Sequence, residues 1–83
     1  MKEFKLRGKV VRMARILKSI KGRELAARTG ISYRYLSKIE LEERNVSVRN
    51  EFKLIRELRE LGISETELLA LTLIANYQKS EVQ

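Results

Sequence analysis

GRELAARTGISYRYLSKIEL, residues 22–41, is the stretch on which the reading of this chain turns. Two short segments with helical apolar spacing flank Thr29-Gly30-Ile31. The turn between them needs a residue that tolerates positive φ, which glycine does without steric cost. Ala26 is small where a second helix has to cross the first closely. Leu25, Ile31, Leu36 and Ile39 form the apolar set that would lock the two segments together. With Leu36 and Ile39 turned inward, 100° per residue puts Arg34, Ser37, Lys38 and Leu41 outward and leaves Tyr33 and Tyr35 on the flanks. Arg34 and Lys38 are like charges four residues apart, which costs an isolated helix ~0.2–0.5 kcal/mol. Such a pair is suited to an anionic surface.

The same logic extends along the chain. An isoleucine stands five residues before a leucine three times, as Ile20 and Leu25, Ile31 and Leu36, and Ile63 and Leu68. Five is the spacing of a hydrophobic staple across a helix start, and the implied N-caps are Lys21, Ser32 and Ser64. Both serines can accept from first-turn amides, and Ser64 with Glu67 completes a capping box. Lys21 cannot accept, so the second helix starts without a side-chain cap or uses Ser19. Val10 or Val11, Ala14, Leu17 and Ile20 mark one face of a first helix. A further helix starts at Ser47, runs through Phe52, Ile55 and Leu58, and ends before Gly62, which suits a left-handed C′ position with Ile63 folding back onto Leu58. The spacing predicts five helices, at about 9–19, 22–29, 33–41, 48–61 and 65–78, in an all-α chain.

Composition narrows the function. The 83 residues predict a single domain, 1–83, small enough that a partner subunit would help its stability. Cysteine, histidine and proline are all absent, which removes disulfides, thiolate and imidazole metal sites, and Cys/His nucleophilic chemistry. Six serines without an imidazole to activate them, and no glycine-rich phosphate loop, speak against an enzyme. No metal or cofactor is implied. There is no signal-peptide core and no apolar run able to span a bilayer, so the expectation is a soluble, cytoplasmic protein. A basic amphipathic membrane binder would pair Lys/Arg with Trp/Phe on one helix, whereas here tryptophan is absent and the basic residues are spread over three helices. The net charge of +7 is lopsided: residues 1–38 hold twelve basic and two acidic side chains, and residues 39–83 hold six and nine. A polyanion such as a nucleic acid explains that asymmetry, and so does an ordinary solvated basic surface.

Segment 22–41 resembles the helix-turn-helix of the phage repressor and Cro-like (XRE-type) DNA-binding proteins, with its LA, TGIS and YLSKIE in the family's register and the likeness running over residues 11–64. The resemblance implies a five-helix domain whose third helix enters the major groove of duplex DNA. Carried over by position, Tyr33, Arg34, Ser37 and Lys38 are the candidates to meet base edges. Lys21, Gly22, Arg23, Arg28, Tyr35, Arg44 and Asn45 are the candidates to meet phosphate. For each of these a solvated charge, or plain packing for Tyr35, is the competing reading. Arg15 and Glu40 are implied as an ion pair tying the first helix to the end of the third. The chain departs from the family pattern at Lys21-Gly22, where a capping Ser/Thr and a Gln are usual, and at Glu42-Glu43, where Gly and Lys are usual. Two carboxylates near phosphates are unfavourable unless they point away.

The last helix, ETELLALTLIANYQ, is apolar on two sides. Leu68, Leu71 and Ala75 line one face, and Leu69, Leu73 and Tyr77 line another, which a two-fold partner would cover unless the other four helices enclose it. The expected whole is a homodimer repressing or activating transcription from a palindromic operator, with residues 1–8 as a possible basic arm and 64–79 as the dimerisation helix. A protein-binding adaptor, an antitoxin or a coactivator holding a different partner with that helix, is the alternative.

Overall fold

The computed structural model describes residues 6–81, with side chains through Tyr77. Five α-helices follow in order: α1 Gly8–Leu17, α2 Gly22–Thr29, α3 Tyr33–Glu40, α4 Val48–Glu60 and α5 Glu65–Glu81. There is no strand among the described residues. All five expected helices are present, the first displaced by one to two residues and the last three residues longer than the spacing predicts.

Helix ends follow local chemistry. Ser32 and Ser47 accept from the amides of Tyr35 and Asn50 at 3.1 and 3.2 Å. Ser64 and Glu67 form the reciprocal capping box, at 2.9 and 3.0 Å. Lys21 is the N-cap of α2 and its side chain makes no capping bond. Ser19 does not take its place, because it serves the end of α1 instead. It adopts φ 59°, donates its amide to the Ile16 carbonyl, and lets the Ile20 amide reach back to the Arg15 carbonyl at 2.9 Å. That is a Schellman ending, and the same pair of bonds closes α3 at Glu42 (φ 63°) and α4 at Gly62 (φ 102°). Gly30 closes α2 at φ 77°. Beside it the Thr29 hydroxyl donates to the Leu25 carbonyl at 2.9 Å and accepts from the Ile31 amide at 3.3 Å, so the turn's buried polar groups are paired.

One core unites the helices. It contains Val10, Val11 and Ala14 of α1, Leu25 and Ala26 of α2, Leu36 and Ile39 of α3, Leu54 and Leu58 of α4, and Leu68 and Ala75 of α5. The valine, leucine and isoleucine side chains among these are worth ~1.5–3 kcal/mol each when removed from water. All six staple residues lie in this core or against it. Helix α1 is central and packs against the other four, while α3 is held by α1 and α2.

Two inward expectations fail. Leu17 is 55% exposed, because α1 ends there and the Schellman turn brings Ile20 onto the core in its place. Phe52 is 71% exposed: the buried stripe of α4 runs through Leu54 and Leu58, and Phe52 lies on a neighbouring stripe with Val48 and Ile55. The segment read as a basic arm divides. Residues 1–5 lie outside the described residues, while Leu6 is fully buried, its amide donating to Glu51 Oε2 at 2.6 Å.

The start of α1 is fastened to the end of α3 by features the spacing did not reveal. Gly8 sits so close to the backbone of Ile39 that a Cβ there would collide with the Ile39 carbonyl oxygen. Arg7 donates to both oxygens of Glu42, at 2.8 and 3.0 Å, and to Asn76 Oδ1 at 2.9 Å. Glu42 also accepts from the Lys9 amide, so its carboxylate caps the positive end of α1 and is turned to that task.

Candidate nucleic-acid interface

Helix α3 has an outer face and firm supports. Leu36 and Ile39 are fully buried beneath it. Its first turn is capped by Ser32, and the Tyr35 ring packs against the core while its hydroxyl donates to the Asn45 carbonyl at 3.3 Å. At the far end Glu40, its side chain only 7% exposed, accepts from Arg15 Nε and Nη2 at 2.9 and 2.8 Å. The third nitrogen, Nη1, donates to the Ile20 carbonyl at 3.1 Å. Hydrogen bonding to Glu40 raises the Arg15 pKa above its already high ordinary value, against a smaller opposing effect of burial. The pair thus joins α1, the α1–α2 turn and α3 through one guanidinium. Breaking such a partly buried pair costs ~3–5 kcal/mol.

On that mount α3 presents Tyr33 and Arg34 exposed, and Ser37 and Lys38 half-buried. Positions 34, 37 and 38 lie one above another on one helical stripe. Tyr33 links this stripe to α2: the Arg23 guanidinium lies 4.4 Å from the ring centroid. Gly22 explains the fit, since a Cβ there would come within 3.1 Å of Tyr33 Cε1. The glycine that departs from the family pattern therefore seats an aromatic ring. Lys21 and Arg23 are exposed at the uncapped amino end of α2, where the backbone amides and the helix dipole favour an anion. Gly22 and Arg23 of α2 thus meet Tyr33 at the start of α3, and Arg34, Ser37 and Lys38 follow along α3.

Other candidates are engaged elsewhere. Arg28 is turned onto Glu24 at 3.3 Å and Glu57 at 3.9 Å, on the side of α2 that packs against α4. The Tyr35 hydroxyl has given its only proton to Asn45, so a phosphate would have to displace that bond. Arg44 and Asn45 are exposed in the α3–α4 loop. Of the two carboxylates in that loop, Glu42 is directed to Arg7 and the start of α1.

The geometry is that of two helices crossing at a tight turn, with the second presenting a polar, cationic face. The helix-turn-helix family model matches residues 11–68, from α1 into the start of α5. The chain belongs to that family, in its XRE-type, Cro-like branch. No curated protein and no solved structure gives a significant match. The family is one of DNA-binding regulators rather than enzymes. In this helix-turn-helix protein the matched span covers the whole of the α2–α3 surface, whereas the exposed apolar side chains of α5, Leu69, Leu73, Ile74 and Tyr77, lie beyond it. No helix among the described residues is long and apolar enough to cross a membrane.

Sequence reasoning missed the contact of Arg23 with Tyr33, and the seating of Gly22 under that ring. A Gly-Arg pair at an uncapped helix start, with an aromatic at the next helix start, was the available signal. It also missed Gly8. The spacing leaves Gly8 just outside the first helix, so nothing in the sequence marked its close approach to the Ile39 backbone.

Proposed function

We propose that this chain is a sequence-specific regulator of transcription that binds duplex DNA as a homodimer on a roughly palindromic operator. The observation that carries the reading is the outer stripe of α3, where Arg34, Ser37 and Lys38 stand on a helix held at both ends. Tyr33, Arg34, Ser37 and Lys38 meet base edges, with Arg34 and Lys38 as donors to guanine O6 and N7. Lys21, Gly22, Arg23, Arg44 and Asn45 hold the phosphates on either side. Arg28 and Tyr35, being engaged within the protein, contribute less. Two copies place their third helices in successive major grooves about 34 Å apart. Leu69, Leu73 and Tyr77 on α5 belong to the surface that joins the copies, and occupation of the site represses or activates the promoter it overlaps. The protein works in the cytoplasm, with its operator, and needs no cofactor.

Affinity selection from random duplexes, followed by a salt titration of the winner, tests this. The expected outcome is one preferred sequence with two-fold symmetry. Binding that ignores sequence and merely weakens with salt would leave a general DNA coat and refute the regulator.

A further inference from the structure

Helices α4 and α5 part at the Gly62 turn and leave an apolar groove of about 290 Å³ between them, lined chiefly by Ile55, Leu58, Ile63, Leu68 and Leu69. Ile55 also lines two adjoining hollows along α4, shared with Phe52 and with Val48 and Phe52. Val48 and Phe52 are 68% and 71% exposed. An open hollow and an aromatic ring that fills nothing thus lie side by side on one face, about one helical turn apart.

We infer that this face is the seat of a second copy of the chain, the Phe52 ring of each copy lying in the α4–α5 groove of the other. The inference rests on the homodimer reading above and moves the centre of the contact from the outer face of α5 to α4. A two-fold axis brings every residue of a patch against its own counterpart surface, so a knob and a hole on the same patch are satisfied twice by one operation. Charge points to the same occupant. Residues 1–38 carry twelve basic side chains against two acidic and repel their own kind, while residues 48–68 hold four basic and five acidic. The groove itself is rimmed by Arg59 and Glu65, opposite signs that a rotated copy can meet in complement. Packing is compatible as well: α3 is held by α1 and α2, so a copy seated between α4 and α5 leaves the outer stripe of α3 open.

Sedimentation equilibrium of the full chain, run beside binding to a half-operator duplex, tests the inference on two neutral variants. Phe52→Gln should self-associate roughly thirtyfold more weakly than the parent or worse, as a central aromatic anchor does. Its half-site affinity should stay at the parental value, because α3 is untouched, and its thermal transition should match the parent's at dilutions where both are monomeric, because only an exposed side chain is removed. The Leu73→Gln/Tyr77→Gln double variant should lose less. If Phe52→Gln pairs as the parent does while the double variant falls apart, the groove is not the seat, although the homodimer stands. A parent that remains monomeric at high micromolar concentration overturns the homodimer and this inference together, leaving the groove to a different protein.

Discussion

Arg34 and Lys38 repel each other on a free helix, yet among the described residues no acidic side chain forms an ion pair with either of them. Each therefore offers its full charge and hydrogen-bonding capacity to whatever meets α3. Replacing both by alanine should leave the thermal transition nearly unchanged, since neither is in the core. It should weaken binding to the preferred duplex by ~1–3 kcal/mol for each base that is no longer read, in a competition assay that also shows relaxed sequence preference. Unchanged affinity in a folded double variant would remove the basis of the regulator reading. Arg15 is the contrasting case: it was implied only by the family resemblance, and nothing in its spacing to Glu40 announces that both are inward. Arg15→Ala should cost ~3–5 kcal/mol in urea unfolding, because Glu40 would stay buried without its partner. A third residue is strained rather than paired. Ser19 holds φ 59° only to close α1, and Ser19→Gly should stabilise by ~0.5–1 kcal/mol, read from the same unfolding curves.

At the scale of elements, helix existence was legible because it rests on local signals. Serines placed before staple leucines, a capping box, and glycines where the chain must turn left-handed all stand in the sequence, and the structure uses each of them. The capping box has a pH signature. Glu67 is held below the usual carboxylate range, first by the hydrogen bond from the Ser64 amide and further by Lys18. A lowered folded-state value means stability that is present above the unfolded value, ~4.3, and is lost as pH falls through the folded one. The parent should therefore lose stability more steeply than Glu67→Gln on acidification below about pH 4, with the two curves drawing together at the acid end. What was not legible is tertiary. The wheel alone could not tell which of two apolar stripes on α4 faces in, so Phe52 was misplaced; the deciding fact is that the Leu54 and Leu58 side is the one buried in the core, with α1 and α2 both packed on α4. Nor could it show that α1 begins against the Ile39 carbonyl. Gly8→Ala must force those two segments apart, and is expected to lower the melting temperature by several degrees although alanine is the better helix former.

For the molecule as a whole, charge and symmetry have to cooperate. On the proposed reading, the basic half of the chain supplies the affinity that every duplex shares, and the near-neutral α4–α5 face lets two such cationic bodies approach each other. Neither alone explains a choice of operator. If two copies are joined rigidly, their third helices are fixed in spacing and in rotational phase, and the duplex must present its half-sites in the same phase. Half-sites separated by one turn, about 10–10.5 base pairs centre to centre, then gain from both copies at once. Adding five base pairs between them turns the second half-site to the opposite side of the duplex. The gain should vanish, and affinity should fall to that of a single half-site. Adding a full turn restores the phase but not the distance, so a rigid dimer should recover little, whereas a pair of copies linked loosely would recover most of it. A gel-shift series over these insertions separates the cases. The parent and Phe52→Gln should differ sharply on the native spacing and hardly at all on the half-turn insertion. The salt slope, about −0.9 per phosphate neutralised, should drop by close to half between the paired and the single-copy complex, because the phosphate contacts proposed for Lys21, Arg23 and Arg44 are then made once instead of twice.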